Sequence, residues 1–528
     1  MRRFLIGAMA VIVGAWAGTR AQSTPAGFEF QVNTYTTGPQ MLPSVSADAH
    51  GNFVVVWDSY GQDGSSGGIF GQRFDSSGAP VGGEFQINSV TAGNQVGPDV
   101  AMSGLGSFVV VWTSAGSDGD GFGIVGRRFS SSGVPLGGEF QVNTHTTGDQ
   151  YYPSVASDAA GNFIVAWNDL GAGMKVRARR FDALGNARAG EFAVSTATTN
   201  YQLNPAVAAD PPGNFVVTWQ EAPPAAPFVS VAARRFNAAG APITGDILVS
   251  AYTGSNELTP DVAVAVDGTF VVVWARTGST DTSHGQRFSS TGAPFGSPFL
   301  VGDSATELAF EPRVAGDPLG NFVVSWSGVD GGGYGVAARL FNSAGLKRGP
   351  EFAVNSYTTG RQSSPAALMD TDGNFVVTWR SNGEDGSGYG IFAQRFACTD
   401  VDMDGTCDLQ DVVVTSPLVS DTLDCSDPVN LRPTVQWDGG AFDKFRVLIA
   451  ADAQFTTANR VTSGSTLLKT RLYTPPGKKW KKVCDRAVAI NPLTPQIYVE
   501  VYGVDISVPK SAPNRTSFSQ VVQVAVAP

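Results

Sequence analysis

The sequence predicts an all-β protein, a seven-bladed β-propeller closed by its N-terminal strand and followed by a C-terminal β-sandwich. Three observations carry this expectation. Glycine and proline are abundant, at 63 and 31 of 528 residues, as in chains made of short strands and tight turns. Seven tryptophans, Trp57, Trp112, Trp167, Trp219, Trp274, Trp326 and Trp379, recur at intervals of 52 to 55 residues. A lone strand precedes the first repeat, and none follows the last.

Taken in order, residues 1–21 read as an export signal. Arg2 and Arg3 give a positive start, Phe4 to Trp16 an apolar stretch, and Ala17 or Ala21 a small-residue cleavage site. Residues 27–397 hold the repeats. Each has an apolar run ending in tryptophan, such as Phe53-Val54-Val55-Val56-Trp57, which suits a strand covered on both faces. A proline-led strand lies upstream (Pro43, Pro98, Pro153, Pro205, Pro260, Pro312, Pro365), and a strand ending in Arg-Phe or Leu-Phe lies downstream. The fourth piece is Phe-x-Val-Asn or a close variant, as at Phe85 to Asn88. Turns such as Asp48 to Asn52 supply residues that tolerate positive φ.

Four short strands cannot bury two apolar faces alone, and radial stacking of such sheets does so. The leading strand, Phe28 to Asn33, precedes any Pro/Trp/Arg-Phe triplet, and the last triplet, Pro365 to Phe396, lacks a fourth strand. A ring that borrows the first strand for the last blade removes both open edges.

The net charge of −11 argues against a nucleic-acid partner, and three histidines with four cysteines leave little material for zinc enzymes. No later stretch has the length of a membrane span. Arginines that recur once per blade (Arg73, Arg128, Arg180, Arg235, Arg287, Arg395) read as structural, because a single active site needs unlike residues converging. The loops after the tryptophans vary more. Tyr60, Asp63, Asp118, Asp330, Tyr334, Asp385 and Tyr389 mark a candidate ligand rim, where tyrosine faces cover sugar rings and short acids hold cations.

The segments Phe-Gln-Val-Asn-Thr, Gly-Asn-Phe-Val-Val-x-Trp and Asp385 to Phe396 resemble repeats of large secreted bacterial adhesin-like and RTX-like proteins. That resemblance implies an exported, surface-associated context and transfers no catalytic residue.

Residues 398–415 form a linker with calcium-loop spacing. Asp400, Asp402, Asp404, Asp408 and Asp411 occupy positions one, three, five, nine and twelve around Gly405, with the Thr406 carbonyl as a further oxygen for Ca2+. The loop resembles thrombospondin type 3 and dockerin calcium loops. All four cysteines lie here or beyond, and the expected pairs are Cys398–Cys407 and Cys425–Cys484. Residues 416–528 alternate in strand-like runs and resemble a fibronectin type III or immunoglobulin-like sandwich.

The leading functional expectation is an exported, calcium-stabilised, non-catalytic binding or adhesion protein that meets a glycan or surface protein at the rim. One alternative is a polysaccharide hydrolase or lyase with its site on the propeller face, and another is a structural part of a cell-surface assembly. No catalytic residue is named, because His50, His145 and His284 fall at unrelated positions of the repeat.

Overall fold

A computed structural model describes residues 23–398 except 225–227, 251–253, 279–280, 303–307 and 330–332, and nine strands between 413 and 527. Every regular element among the described residues is a β-strand. The export signal, the calcium loop Asp400–Asp411 and both proposed cysteine pairs involve side chains outside the described residues.

After two short N-terminal strands, β1 (Ser23–Pro25) and β2 (Phe30–Gln31), the chain runs through repeated antiparallel meanders. The first comprises β3 (Gln40–Ala47), β4 (Phe53–Tyr60), β5 (Gly67–Phe74) and β6 (Phe85–Gln86). The second comprises β7 (Gln95–Met102), β8 (Phe108–Ala115), β9 (Phe122–Phe129) and β10 (Phe140–Gln141). The third comprises β11 (Gln150–Ser157), β12 (Phe163–Asp169), β13 (Lys175–Phe181) and β14 (Phe192–Ala193). The fourth comprises β15 (Tyr201–Ala209), β16 (Phe215–Ala222), β17 (Ser230–Phe236) and β18 (Ile247–Leu248). The fifth comprises β19 (Glu257–Val264), β20 (Phe270–Arg276), β21 (Thr282–Phe288) and β22 (Pro294–Leu300). The sixth comprises β23 (Ala309–Gly316), β24 (Phe322–Val329), β25 (Gly333–Phe341) and β26 (Lys347–Ala353). A short parallel bridge, Tyr334 opposite Arg361, joins it to β27 (Gly360–Met369), β28 (Phe375–Asn382) and β29 (Tyr389–Cys398).

This seventh meander supplies three strands of its own, and the N-terminus supplies the outer ones. Phe30 pairs with Ala393, and Pro25 pairs with Phe396. Of the expected leading strand, Phe28 to Asn33, the structure has β2 on β29, and a further piece, β1, pairs with β29 ahead of it.

The tryptophan strands form because both faces are covered. Val54 and Val56 pack towards the second meander, against Val100, Val110 and Trp112. Val55 and Trp57 pack the other way, against Leu368 and Val376 of the seventh. The same two-sided arrangement links the other neighbours, and phenylalanine pairs such as Phe108–Phe129 stack at 4.9 Å at the strand ends. Burial of Trp57 removes a whole aromatic surface from water, worth on the order of 3 kcal/mol against a truncated side chain.

The recurrent arginines act between meanders, as their repetition suggests. Arg180 Nη1 donates to the Ala238 carbonyl at 2.6 Å, and Arg395 reaches the Ser76 and Ser77 carbonyls of the first meander.

Each proline-led strand carries a bulge. The residue before the proline has left-handed backbone in every repeat: Leu42, Gly97, Tyr152, Asn204, Thr259, Glu311 and Ser364. For the six that are not glycine this is a strained conformation, and the following proline itself favours extended backbone.

Beyond residue 398, β30 (Val413–Ser416), β32 (Val435–Asp438) and β35 (Leu472–Tyr473) form one sheet. A second sheet holds β31 (Thr422–Asp424), β33 (Lys444–Ala450), β34 (Arg460–Thr462), β36 (Gln496–Val504), β37 (Thr516–Phe518) and β38 (Val522–Ala527).

Candidate functional site

In a repeat protein, a site is found where one copy departs from the pattern. Two residues after each tryptophan the chain has Ser59, Ser114, Asp169, Glu221, Arg276, Gly328 and Ser381. Directly opposite each tryptophan, on the next strand, stand Phe70, Val125, Arg177, Ala232, His284, Ala337 and Phe392. The third meander breaks both positions with ionic residues.

These residues meet. Asp169, fully buried at the end of β12, lies 3.0 Å from His145 Nδ1 and 2.7 Å from Arg177 Nε. Its other oxygen accepts the Ala172 backbone N–H at 3.0 Å. Arg177 Nη1 stands 3.3 Å from Glu191 Oε1, while Glu191 Oε2 accepts the N–H groups of Thr144 and His145 at 2.6 and 3.2 Å. The side chains of His145 and Arg177 remain 33% and 26% exposed, so the cluster opens to solvent.

A neutral His145 donates its Nδ1 proton to Asp169, which places the lone pair on Nε2. The third and fourth meanders continue the polar surface. Lys175 donates to the Asn200 carbonyl, and burial draws its ammonium below the usual lysine range, against the pull of Glu221. Burial raises the Glu221 carboxyl, and Asp246 adds to that rise.

Six of the seven rim residues expected from sequence are described. Asp63 Oδ1 accepts the Ser65 N–H at 2.9 Å, and its Oδ2 accepts the Asn88 amide at 3.3 Å. Asp118 takes the Asn143 amide at 2.8 Å, and Asp385 takes the Ser387 N–H at 2.9 Å. Asp63 and Asp385 thus hold their own turns, and Asp63 and Asp118 each hold an asparagine 25 residues further on. Tyr334 lies under the Arg361 guanidinium at 4.8 Å, and Tyr389 lies under Arg380 at 5.0 Å. Tyr60 is 37% exposed at the end of β4, and Asp330 lies outside the described residues.

Other acids lie on the proline-led strands. Asp99 accepts the Ser44 hydroxyl at 2.6 Å and the Val155 N–H at 2.7 Å, so it ties three meanders together. Asp261 accepts the Val314 N–H at 2.8 Å. Burial raises both carboxyls, and Asp261 adds to the rise at Asp99. Asp58, beside its tryptophan, is 1% exposed, and burial pushes it up to about 8 despite the opposing charge of Arg380. Among the described residues no three histidine, cysteine or acidic side chains are grouped for a metal ion. Among them, too, no helix is long and apolar enough to cross a membrane.

Sequence reasoning passed over His145 and Asp169, which stand far apart in the chain. The signal that finds them is the pair of repeat positions where serine gives way to aspartate and an apolar residue to arginine.

No protein-family model matches the chain, and no curated protein matches it. Solved structures do. The chain is similar to a polysaccharide lyase, the ulvan lyase of family PL25, at 10% identity over 69% of this chain and 95% of that one, with a TM-score of 0.48. An endo-arabinase from Bacteroides thetaiotaomicron matches at 13% identity over 47% of this chain and 94% of its own, with a TM-score of 0.32. The β-propeller domain of the Trilobed protease from Pyrococcus furiosus matches at 8% identity over 68% and 94%, with a TM-score of 0.40. The expectation of a non-catalytic binding or adhesion protein is corrected here. The similar chains just described are named for enzymes, two of them polysaccharide-cleaving.

Proposed function

We propose that the chain is a polysaccharide-cleaving enzyme, a lyase acting on uronate-containing chains, with its site at His145, Asp169 and Arg177. The observation that carries this reading is the ionic cluster itself, in which Asp169 and Arg177 stand where the first, second and seventh meanders have serine and an apolar residue. Elimination fits it better than hydrolysis. Glycoside hydrolysis needs two available carboxyl groups, whereas Asp169 and Glu191 are both engaged by cations and backbone N–H groups.

In the proposed reaction His145 Nε2 takes the proton at C5 of a uronate. The electron pair forms the C4–C5 double bond, the bond from C4 to the glycosidic oxygen breaks, and the imidazolium returns its proton to that oxygen. Asp169 holds the ring and stabilises the imidazolium, acting as a positioning residue. Arg177 and Lys175 supply positive charge to the uronate carboxylate, which favours the developing enolate.

The site sits on a frame that we read as a seven-bladed ring closed by β1 and β2. Export, the Asp400–Asp411 calcium loop, the two cysteine pairs and a C-terminal sandwich belong to the same proposal. The direct experiment incubates the chain with polygalacturonate, alginate and ulvan and follows the ultraviolet absorbance of the unsaturated uronate product. Absorbance that rises with wild type and not with His145→Ala supports the reading. Reducing ends without that absorbance mean hydrolysis, and no cleavage of any uronate polymer overturns the proposal.

A further inference from the structure

A second departure from the repeat lies beside the first. At the two residues before the proline, and at the start of the third strand of the preceding meander, the repeats hold very different residues. The second and third meanders contribute Phe122, Tyr151 and Tyr152. The corresponding trios elsewhere are Tyr389, Met41 and Leu42; Gly67, Val96 and Gly97; and Met174, Leu203 and Asn204. The remaining three are Val229, Leu258 and Thr259; Asp281, Phe310 and Glu311; and Tyr334, Ser363 and Ser364. Only one trio is wholly aromatic.

The three rings form a continuous surface. Phe122 and Tyr151 lie 5.0 Å apart between centroids, and Tyr151 and Tyr152 lie 6.1 Å apart. Tyr152 is 61% exposed. The surface is braced from below, since the Phe122 N–H donates to Asp149 at 3.1 Å and the Gly148 N–H donates to Asp120 at 3.1 Å. Its backbone adjoins that of the ionic cluster, because Gln150 pairs with Asp169 and Tyr151, the next residue, pairs with Asn168.

The fold does not ask for these rings. Tyr152 has a φ of 53°, where a side chain is strained, and Gly97 fills the same position in the second meander with a φ of 62°. A large exposed aromatic kept at a strained position is a feature of binding surfaces. A sugar ring presents an apolar C–H face flanked by hydroxyls, which suits tyrosine faces with Asp149 at their edge.

We infer that Phe122, Tyr151 and Tyr152 form a stacking platform for a sugar ring neighbouring the one held at His145, an inference that rests on the polysaccharide reading above. The platform makes the enzyme bind an internal stretch of a polymer, with one ring on the tyrosines and the next at the imidazole.

The test uses gels cast with polygalacturonate, alginate or ulvan, through which the full-length His145→Ala chain migrates with and without a second change. Adding Tyr152→Gly is expected to weaken retardation about tenfold in apparent affinity, while adding Tyr152→Phe leaves it unchanged. The glycine variant must also melt no lower than its parent, which separates lost binding from lost folding. Retardation that survives Tyr152→Gly overturns the platform even if the wild type cleaves the polymer. Retardation that is lost with Tyr152→Gly, in a chain that cleaves nothing, supports the platform and removes the catalytic reading. A chain retarded by none of the three polymers overturns both.

Discussion

The carboxyl of Glu384 stands beside the carboxyl of Glu29, across the seam where β2 joins β29, and the Glu29 charge helps to raise it. At the equivalent place in the first meander, Gln62 donates its amide to Glu84. Two carboxyls thus stand where the first meander sets an amide against a carboxyl. Glu29 also accepts the Ser356 N–H at 2.6 Å and the Tyr357 N–H at 3.3 Å, so its carboxyl sits at a junction of three segments.

Stability at this seam depends on pH. Burial first, and then the charge of Glu29, push Glu384 up from 4.5 to about 7, with Asp385 adding to the rise and Ser381 opposing it. A folded-state value above the unfolded one means that stability is highest where both states are protonated. It then falls as pH rises from about 4.5 through about 7. Glu384→Gln recreates the Gln62–Glu84 pair and is expected to flatten that part of the curve, measured by urea unfolding at a series of pH values.

Asp58 gives a second and wider window. Its folded value of about 8, against 3.8 in the unfolded chain, means stability declines across that whole interval as pH rises. Asp58→Asn is expected to match wild type near pH 4 and to exceed it near pH 8 by on the order of a few kcal/mol. Thermal melts at the two pH values check this.

The catalytic reading sets magnitudes for the third meander. His145→Ala should lower kcat roughly 10²- to 10⁴-fold, the usual contribution of a positioned base. Asp169→Asn should lower kcat and shift the pH–rate profile, because the imidazole loses its charged partner while the fold keeps a polar group. Steady-state assays of unsaturated product over a pH series separate the two.

Ring closure is tested by comparing equivalent core positions. Val32, 2% exposed on the segment after β2, corresponds to Val142, 0% exposed after β10. If the N-terminal segment completes the seventh meander, Val32→Ala and Val142→Ala should each cost about 2 kcal/mol. A much smaller cost at Val32, measured by denaturant unfolding, would mean an open chain end.

Calcium is tested directly. One ion per chain is expected by titration calorimetry, and Asp400→Ala with Asp404→Ala should abolish it. Chelation should leave unfolding of the repeats unchanged, since their contacts lie between residues 23 and 398.

The parts of the fold that repeat were legible in the sequence, because Trp57 and its six counterparts, with phenylalanines such as Phe53 and Phe74, face the same packing problem in each copy. The leading Phe-x-Val-Asn segment was legible for the same reason. The left-handed backbone at Leu42 and Tyr152 was not, since a residue before proline is ordinarily extended. The ionic cluster was also hidden. Its members come from a connecting segment and two strands, and only the register that sets Gln150 against Asp169 and Trp167 against Arg177 brings them together.

The bulge before each proline places one residue per repeat on a left-handed backbone. Leucine, glycine, tyrosine, asparagine, threonine, glutamate and serine all occupy it on otherwise matching frames. These seven positions are therefore replaceable sockets on a constant chassis, and new specificities can be installed there by exchanging these residues without redesigning the layers that carry them.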